Sequence, residues 1–295
     1  ATAATGRLLG LEPEAMACAW GIAGSQVGGL ARNFGTMTKP FHIGRAAQAG
    51  VVSANLAAKG FTADGAIFDD AGSVLDIYVG GDGEPAAEVI ANLGDPWSIL
   101  SPGNYVKQWP CCFSGHRTIG ALFELIEQQG IDAAEVTDVS IGFLPGGDAS
   151  LLSKNPQTGL EGKFSIEYIV AALLLDGTLK MATFTNEMVQ RPEARALMQR
   201  VHRTYIPDEK FYSGIAGYND ITVTTTAGQF DVREDRVPGS RIWPMSEPDR
   251  DAKFIDCATQ VLSDPRAFDL LKKIKDVRTT PNIQKLVKAT IPATD

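Results

Sequence analysis

The chain has 295 residues, of which 44% are hydrophobic and 21% charged, so its composition is that of a globular protein and excludes a disordered chain. The net charge of −8 excludes a general nucleic-acid binder, and no apolar run is long enough for a transmembrane helix. With four cysteines, no C-x-x-C motif and no signal-peptide pattern, we expect a soluble cytoplasmic protein that binds neither nucleic acid nor membrane.

Residues 1–104 are predicted to form a helical domain rich in small side chains. Residues 1–11 have the pattern of a helix without a capping residue before it, so we expect the domain to be N-terminally incomplete. Further helices are expected from Glu12 toward Leu30, over residues 45–59 and, shorter, over residues 84–93. Small residues on several faces are typical of helices that pack closely on several sides.

Residues 105–245 mix two periodicities and are predicted to form a smaller α+β lid domain. The helical patterns cover residues 114–129, 164–175 and 192–205. The strand patterns cover residues 136–143, 221–226 and 229–232. Residues 246–295 contain two helices capped by Ser246 and Ser263, which we expect to return to the helical domain. The predicted fold is mostly α with an α+β part, its helical domain being built from both chain ends.

The charge distribution suggests where a ligand binds. No acid occurs between Glu14 and Asp64, or between Trp97 and Glu124, although acids outnumber bases in the whole chain. Fixed cations in such stretches attract carboxylates, so each stretch predicts a pocket for a small anion. The alternative is a set of unrelated lysines and arginines on the surface.

The first stretch contains residues 35–45, which are predicted to be a loop entering a helix. Pro40 disfavours helical conformation at Lys39, and Gly44 allows close approach at the helix start. The free N–H groups there favour an anion, which Lys39, His42 and Arg45 would surround. Alternatively, His42 has a structural role.

The second stretch contains residues 105–117, again a loop that enters a helix. Ser114 is expected to cap this helix, and a neutral His116 in its first turn could act as acid or base. Alternatively, His116 caps the helix within a core of apolar neighbours, namely Trp109, Cys111 and Phe113. The adjacent Cys111 and Cys112 are weak evidence for a metal or redox site. We therefore expect a site without metal or cofactor.

The two loops resemble those of the MmgE/PrpD family, which includes 2-methylcitrate dehydratases, cis-aconitate decarboxylases and iminodisuccinate epimerases. The resemblance covers residues 19–60, 106–116 and 164–177 in the same order. It implies a homodimer of two-domain chains with the active site between the domains. Because family chains are longer at the N-terminus, it also implies that a segment carrying an active-site His and Asp precedes this sequence.

The resemblance also implies roles for individual residues. Lys39 and His42 match the T-K-P-x-H loop, Lys107 matches the Lys before an aromatic–Pro pair, and Tyr168 matches a Tyr of the lid helix. Together with His116 they are the expected catalytic residues. The expected substrate-binding residues are Thr38, Arg45, Cys112 and Lys163.

The activities of the family share proton transfer at a carbon next to a carboxylate, and pre-placed cations stabilise the resulting dianion. Cys112 stands where decarboxylases carry a His, and the T-K-P-x-H loop is unlike that of 2-methylcitrate dehydratases. The sequence therefore favours a cofactor-independent isomerase, such as an epimerase, or a lyase that acts on a small di- or tricarboxylate such as iminodisuccinate. The alternatives are a 2-methylcitrate dehydratase-like hydro-lyase, a non-catalytic polycarboxylate-binding protein and a thiol redox protein.

Overall fold

The computed structural model describes residues 1–69, 72–79, 91, 93–208, 210–212 and 216–292. The chain divides into two compact units, Ala1–Pro102 and Gly103–Asp295. None of the helices in the described ranges combines the length and the apolar character that crossing a membrane requires. The short helix predicted over residues 84–93 falls almost wholly outside the described residues.

Small side chains hold the first unit together. Its helices are α1 (Thr2–Leu9), α2 (Pro13–Gly24), α3 (Thr38–Ala58) and α4 (Val74–Val79). Both α1 and α2 pack on α3. A Cβ atom on Gly50 of α3 would lie 2.5 Å from the Cβ atom of Ala1, so α3 accepts the start of the chain because it has no side chain there. The predicted close packing of small residues is confirmed on one side of α3, whose buried residues are all small, but not on several sides, because Val51 and Val52 are exposed.

The helix expected over residues 45–59 in fact begins at Thr38, and the prediction that Pro40 excludes a helix at Lys39 is wrong. Pro40 lies in the first turn, where backbone N–H groups have no helical partner, so its missing N–H costs no hydrogen bond. The first bond of the α-helical pattern runs from the Phe41 N–H to the Met37 carbonyl over 3.4 Å. Gly44 consequently lies inside the helix rather than at its start.

A four-stranded mixed sheet organises the second unit, in the order β2-β1-β3-β4. Its strands are β1 (Val136–Phe143), β2 (Val201–Tyr205), β3 (Asn219–Thr225) and β4 (Gln229–Glu234). β2 runs parallel to β1, and β3 is antiparallel to both of its neighbours. The alternation predicted for β1 is confirmed, because Val139, Ile141 and Phe143 are fully buried.

The helices of the second unit are mostly short. Their bounds are α5 (His116–Gln129), α6 (Gly159–Gly162), α7 (Ile166–Asp176), α8 (Asn186–Gln190), α9 (Pro192–Met198), α10 (Glu247–Ala258), α11 (Asp264–Lys275) and α12 (Ile283–Ala289). Helix α5 contacts β3 and β4, and α7 contacts β2. Ser246 caps α10 as predicted, by accepting a hydrogen bond from the Asp249 N–H over 3.2 Å. Ser263 occupies the N-cap position of α11 without a side-chain bond.

The polar helix predicted over residues 192–205 is wrong in its second half, because the chain leaves the helix at Met198 and forms β2. Local sequence favoured a helix, whereas parallel pairing with β1 satisfies the backbone groups of residues 201–205. His202 is exposed, as predicted, but it lies on an edge strand, with Nε2 3.1 Å from Asp138 Oδ1.

The predicted fold class is confirmed by helices in both units and by the small sheet in the second. The expectation that residues 246–295 return to the helical domain stays a prediction. Within the second unit, α10, α11 and α12 share a small core around Leu262, Ala267 and Leu270.

Candidate functional site

Helix α3 carries the first group of predicted site residues. Thr38 and Lys39 lie in its first turn, and His42 and Arg45 follow at intervals of three residues, so Lys39, His42 and Arg45 lie along one side of the helix. The Lys39 ammonium group lies 4.2 Å from the centroid of the Phe34 ring. The predicted cationic group is therefore built on a helix rather than on a loop.

His42 and Arg45 line a cavity of about 420 Å³ within the first unit. The opposite wall is aromatic, with the Trp20 and Phe68 rings in edge contact at 6.0 Å. The imidazole of His42 lies against Gly29, where a Cβ atom would be only 3.2 Å from Nδ1. This cavity offers a cation and an imidazole to a small anion.

The loop of residues 107–112 is wrapped around the side chain of His116. Nε2 of His116 accepts a hydrogen bond from the Trp109 N–H over 3.3 Å, and Nδ1 donates to the Cys112 carbonyl over 3.1 Å. The ring is fully buried, between the rings of Trp109 and Phe113. Burial lowers the pKa of His116 to about 3, so the imidazole is neutral at physiological pH.

This geometry fits the alternative interpretation of His116 in part: the residue lies in an apolar core, but its ring binds the loop and does not cap the helix. Both ring nitrogens are committed to backbone groups. The prediction that Ser114 caps the helix is wrong: Gly115 is the N-cap residue of α5, and Ser114 lies within a 3₁₀ turn, Phe113–Gly115. The Gly115 N–H closes this turn by donating to the Cys112 carbonyl over 3.1 Å, so the helix starts one residue later than predicted for a Ser114 cap.

Two lysines and a cysteine gather at the same loop. Lys107 is exposed, and its ammonium group donates to the Cys111 carbonyl over 3.3 Å. The Cys112 N–H donates to the Lys163 carbonyl over 2.8 Å, so residue 163 lies against the end of the loop. The Cys112 thiol is buried and lies 3.9 Å from the Ser150 carbonyl oxygen. The structure thus brings together Lys107, Cys112 and Lys163.

Cys111 is poorly suited to thiol chemistry. Its side chain is buried, and burial raises the pKa of the thiol far above its ordinary value, with Cys112 raising it further. The positive charges of Lys107 and Lys163 lower it by less. Because the thiolate is the nucleophile, this environment opposes the redox alternative for Cys111.

Tyr168 lies in the core of the second unit. Its hydroxyl donates to the Thr183 carbonyl over 2.5 Å, and its ring contacts Phe184 edge-on at 6.0 Å. Burial raises the pKa of Tyr168 to about 12. In this arrangement the hydroxyl binds a turn of backbone, as in a tyrosine that belongs to the core.

A buried ion-pair network escaped the sequence analysis. Arg203 on β2 makes a bidentate pair with Glu167 on α7, at 2.7 and 2.8 Å, and a further bond of 3.0 Å to Asp148. The Ser165 hydroxyl also donates to Glu167, over 3.1 Å. The charged residues Asp148, Glu167 and Arg203 are 19 to 55 positions apart, and the segment of Arg203 was predicted to be helical, so no local pattern could have joined them.

Metal binding has no support in the part of the chain that the structure describes. Within it, no group of three or more His, Cys, Asp or Glu residues could hold a metal ion. The charged side chains in both predicted stretches are lysines and arginines, which suit an anionic organic ligand.

Comparison with known proteins agrees with this architecture. The model of the MmgE/PrpD N-terminal domain matches residues 1–85, and that of the C-terminal domain matches residues 109–276. The chain is 27% identical over 282 residues to a cis-aconitate decarboxylase of Homo sapiens, covering 93% of this chain and 57% of the relative. It is 30% identical over 214 residues to a cis-aconitate decarboxylase of Aspergillus terreus, covering 67% of this chain and 43% of the relative. The chain thus spans less than two thirds of each relative's length, and it belongs to the MmgE/PrpD family.

Proposed function

We propose that this chain is a cofactor-independent lyase that performs acid/base chemistry on a small di- or tricarboxylate. The observation that carries the proposal is a group of cationic or imidazole side chains in each unit, each of which includes a residue of an acid-free stretch. The first group, Lys39, His42 and Arg45, lies within one such stretch and within the residues matched by the N-terminal family model. The second group joins Lys107, from the other acid-free stretch, to Lys163, whose carbonyl binds the Cys112 N–H. The similarity to cis-aconitate decarboxylases supports a lyase that acts on a polycarboxylate.

The chemistry requires a proton acceptor and fixed positive charge. Removal of a proton from a carbon next to a carboxylate places a second negative charge on that carboxylate, and ammonium groups held nearby stabilise it. We assign this role to Lys39 and Lys107, and carboxylate binding to Arg45 and Lys163. Thr38, half-buried beside Lys39, is assigned to the same substrate-binding group.

His42 is our candidate for proton transfer. Its imidazole lines the cavity of the first unit, and it makes no hydrogen bond to any residue that the structure describes. An imidazole whose ring nitrogens are not engaged by the protein can donate a proton to a ligand or accept one from it. His116 and Tyr168 bind backbone carbonyls instead, so we assign them to holding the loop and the lid helix.

A second candidate is epimerisation of iminodisuccinate, and Cys112 favours it. The resemblance places a His at this position in cis-aconitate decarboxylases, whereas this chain has a buried thiol. Epimerisation requires only removal and return of a proton and breaks no carbon–carbon bond. The absence of that His therefore weighs against decarboxylation and leaves epimerisation as the second candidate.

We also propose a homodimer, as the resemblance implies. Met37, which directly precedes α3, and Phe41 and Val52 on the same side of the helix are 83%, 59% and 43% accessible, and an exposed apolar side of this kind is typical of an interface. Sedimentation equilibrium should give twice the mass of one chain, and a monomer at micromolar concentration would contradict this part of the proposal.

The proposed activity is tested by proton exchange in D2O followed by NMR. The chain is incubated with cis-aconitate, 2-methylcitrate or iminodisuccinate. We expect deuterium at a carbon next to a carboxylate for one substrate, together with the product of a lyase reaction. Exchange without product would favour the epimerase. Binding of all three substrates without exchange would instead indicate a polycarboxylate-binding protein.

A further inference from the structure

Lys253 lies 146 residues after Lys107, yet the structure brings the two together. The ammonium group of Lys253, on α10, donates a hydrogen bond to the backbone carbonyl of Lys107. Lys253 also lines a cavity of about 150 Å³ with Gln108, Trp109 and Pro110, the residues that follow Lys107. Helix α10 therefore contacts the predicted site loop through one cationic side chain.

The charge of Lys253 also acts on the residue around which the loop is wrapped. Burial is the main cause that lowers the pKa of His116, and the positive charges of Lys107 and Lys253 lower it further. Both ammonium groups therefore lie close enough to this imidazole to affect it.

The other anchors of the loop lie on either side of this contact. The Val106 N–H donates to the Gly239 carbonyl over 2.8 Å. The backbone of Trp109 and Cys112 is bound to His116, as described above. Between these anchors, the peptide that joins residues 107 and 108 is held through its carbonyl oxygen by Lys253. This peptide directly follows the Cα atom from which the Lys107 side chain projects.

Two acids on α10 flank Lys253, and each already has a partner. Asp249 accepts a hydrogen bond from the Ser246 hydroxyl over 2.5 Å, and Asp256 accepts one from the Met181 N–H over 2.8 Å. The Asp249 carboxylate therefore binds the serine that caps α10, and the Asp256 carboxylate binds the turn at Met181. The Lys253 ammonium group binds the loop.

We propose that Lys253 is a positioning residue that fixes the peptide after Lys107 and, through it, the place of the Lys107 ammonium group at the substrate. This inference rests on the proposed function, in which Lys107 stabilises the charge that develops on a substrate carboxylate. Displacement of a pre-placed charge by about 1 Å lowers turnover strongly, because stabilisation in the transition state depends on geometry.

The test compares Lys253→Met, which removes the charge, with Lys253→Arg, which keeps it. Lys272→Met, at an exposed position on α11, is the matched control. Hydrogen exchange of the backbone amides in residues 106–113 is measured by mass spectrometry on the whole chain. The kinetic constants kcat and KM are measured separately on whichever polycarboxylate the wild type converts.

For Lys253→Met we expect loop exchange about tenfold faster and a kcat about 10- to 100-fold lower, with KM changed less. Lys253→Arg should restore both within about threefold, and Lys272→Met should match the wild type. Thermal melting identifies any variant that fails to fold, and in that case Lys253→Gln takes the place of Lys253→Met.

If the amide hydrogen exchange of residues 106–113 is unchanged in Lys253→Met, the inference that Lys253 holds the loop is wrong. Faster exchange with an unchanged kcat, or an Arg variant as impaired as the Met variant, overturns the positioning role. A wild type that converts none of the polycarboxylates overturns the proposed function instead. Failure of the proposed function can be distinguished from failure of the positioning role, because the amide hydrogen-exchange rates of residues 106–113 need no substrate and still show whether Lys253 holds the loop.

Discussion

Nε2 of His116 lies 3.3 Å from the backbone nitrogen of Trp109, seven residues earlier, and accepts its hydrogen bond. Through Nδ1 the same ring donates to the Cys112 carbonyl. Backbone groups of a loop have no regular hydrogen-bond partners, and here one neutral imidazole binds two of them. It thereby holds the segment that carries Lys107 against the start of α5.

Replacing this histidine should destabilise the fold. His116→Leu leaves the buried Trp109 N–H without its partner, at a cost of about 1–3 kcal/mol, while the Cys112 carbonyl keeps only its bond from the Gly115 N–H. Urea denaturation should show this loss in the free energy of unfolding. His202→Leu, on the exposed edge strand, is the control and should change it by less than about 1 kcal/mol. Equal stability of the His116 variant and the wild type would contradict the structural role.

The same residue predicts how stability depends on pH. The pKa of His116 falls from 6.5 to about 3 on folding, so between these values the unfolded chain binds one more proton than the folded chain. Its contribution to stability is fully present above pH 6.5 and decreases as the pH falls toward 3, by up to about 1.4 kcal/mol per pH unit. Unfolding free energies of wild type and His116→Gln, measured between pH 7 and pH 4.5, should show the steeper decrease in the wild type. Parallel curves would refute this assignment.

Lysine substitutions test the proposed site directly. Lys39→Met and Lys107→Met keep the aliphatic part of the side chain and remove its charge. Loss of one group that stabilises developing charge should lower kcat/KM by about 100-fold, with little change in the melting temperature. Lys59→Met and Lys285→Met, both exposed, are the controls in the two units. Full activity of both site variants would remove these lysines from the mechanism.

The ion pair of Glu167 and Arg203 is expected to stabilise the second unit. Their side chains are 9% and 5% exposed, so Glu167→Gln leaves a buried guanidinium whose remaining carboxylate partner in the described network is Asp148. The expected cost is about 1.5–3 kcal/mol of unfolding free energy, because a charged hydrogen-bonded pair is lost. Asp220→Asn removes an exposed pair with Arg233, whose side chains are 39% and 60% accessible, and should cost less than about 1 kcal/mol. Similar small losses in both variants would show that the buried pair contributes little.

Thiol labelling distinguishes the redox alternative. Cys257 is exposed, whereas Cys111 and Cys112 are buried and burial raises the pKa of the Cys111 thiol. A thiol reagent at pH 7.5 should therefore modify Cys257 first, and Cys111 only as the chain unfolds. Mass spectrometry of labelled peptides measures the order. Rapid labelling of Cys111 in the folded chain would revive a thiol-based function.

The elements predicted correctly are those with a strong local pattern. The alternation of β1 and the cap of α10 depend on residues close together in the sequence. The residues expected to bind an anion were found from the distribution of charge along the chain, which also needs no tertiary information. Two of them, His42 and Arg45, do line one cavity.

The errors have a common physical cause. Residues 201–205 form a strand because β1 offers them a parallel partner, and α3 starts early because the first turn of a helix tolerates proline. In each case the local conformational preference of a few residues is weaker than the backbone hydrogen bonding that the folded chain makes possible.

Sequence alone was enough to identify the mixed helical and α+β architecture, the two acid-free stretches and the family. The protonation and the partners of individual side chains were decided by tertiary contacts. His116 is neutral because it is buried, and Arg203 is paired with an acid 36 positions away. Lys253 on helix α10 binds the backbone carbonyl of Lys107 in a distant loop. Burial and the direction of a hydrogen bond depend on atoms that are distant in the sequence, so no local pattern contains them.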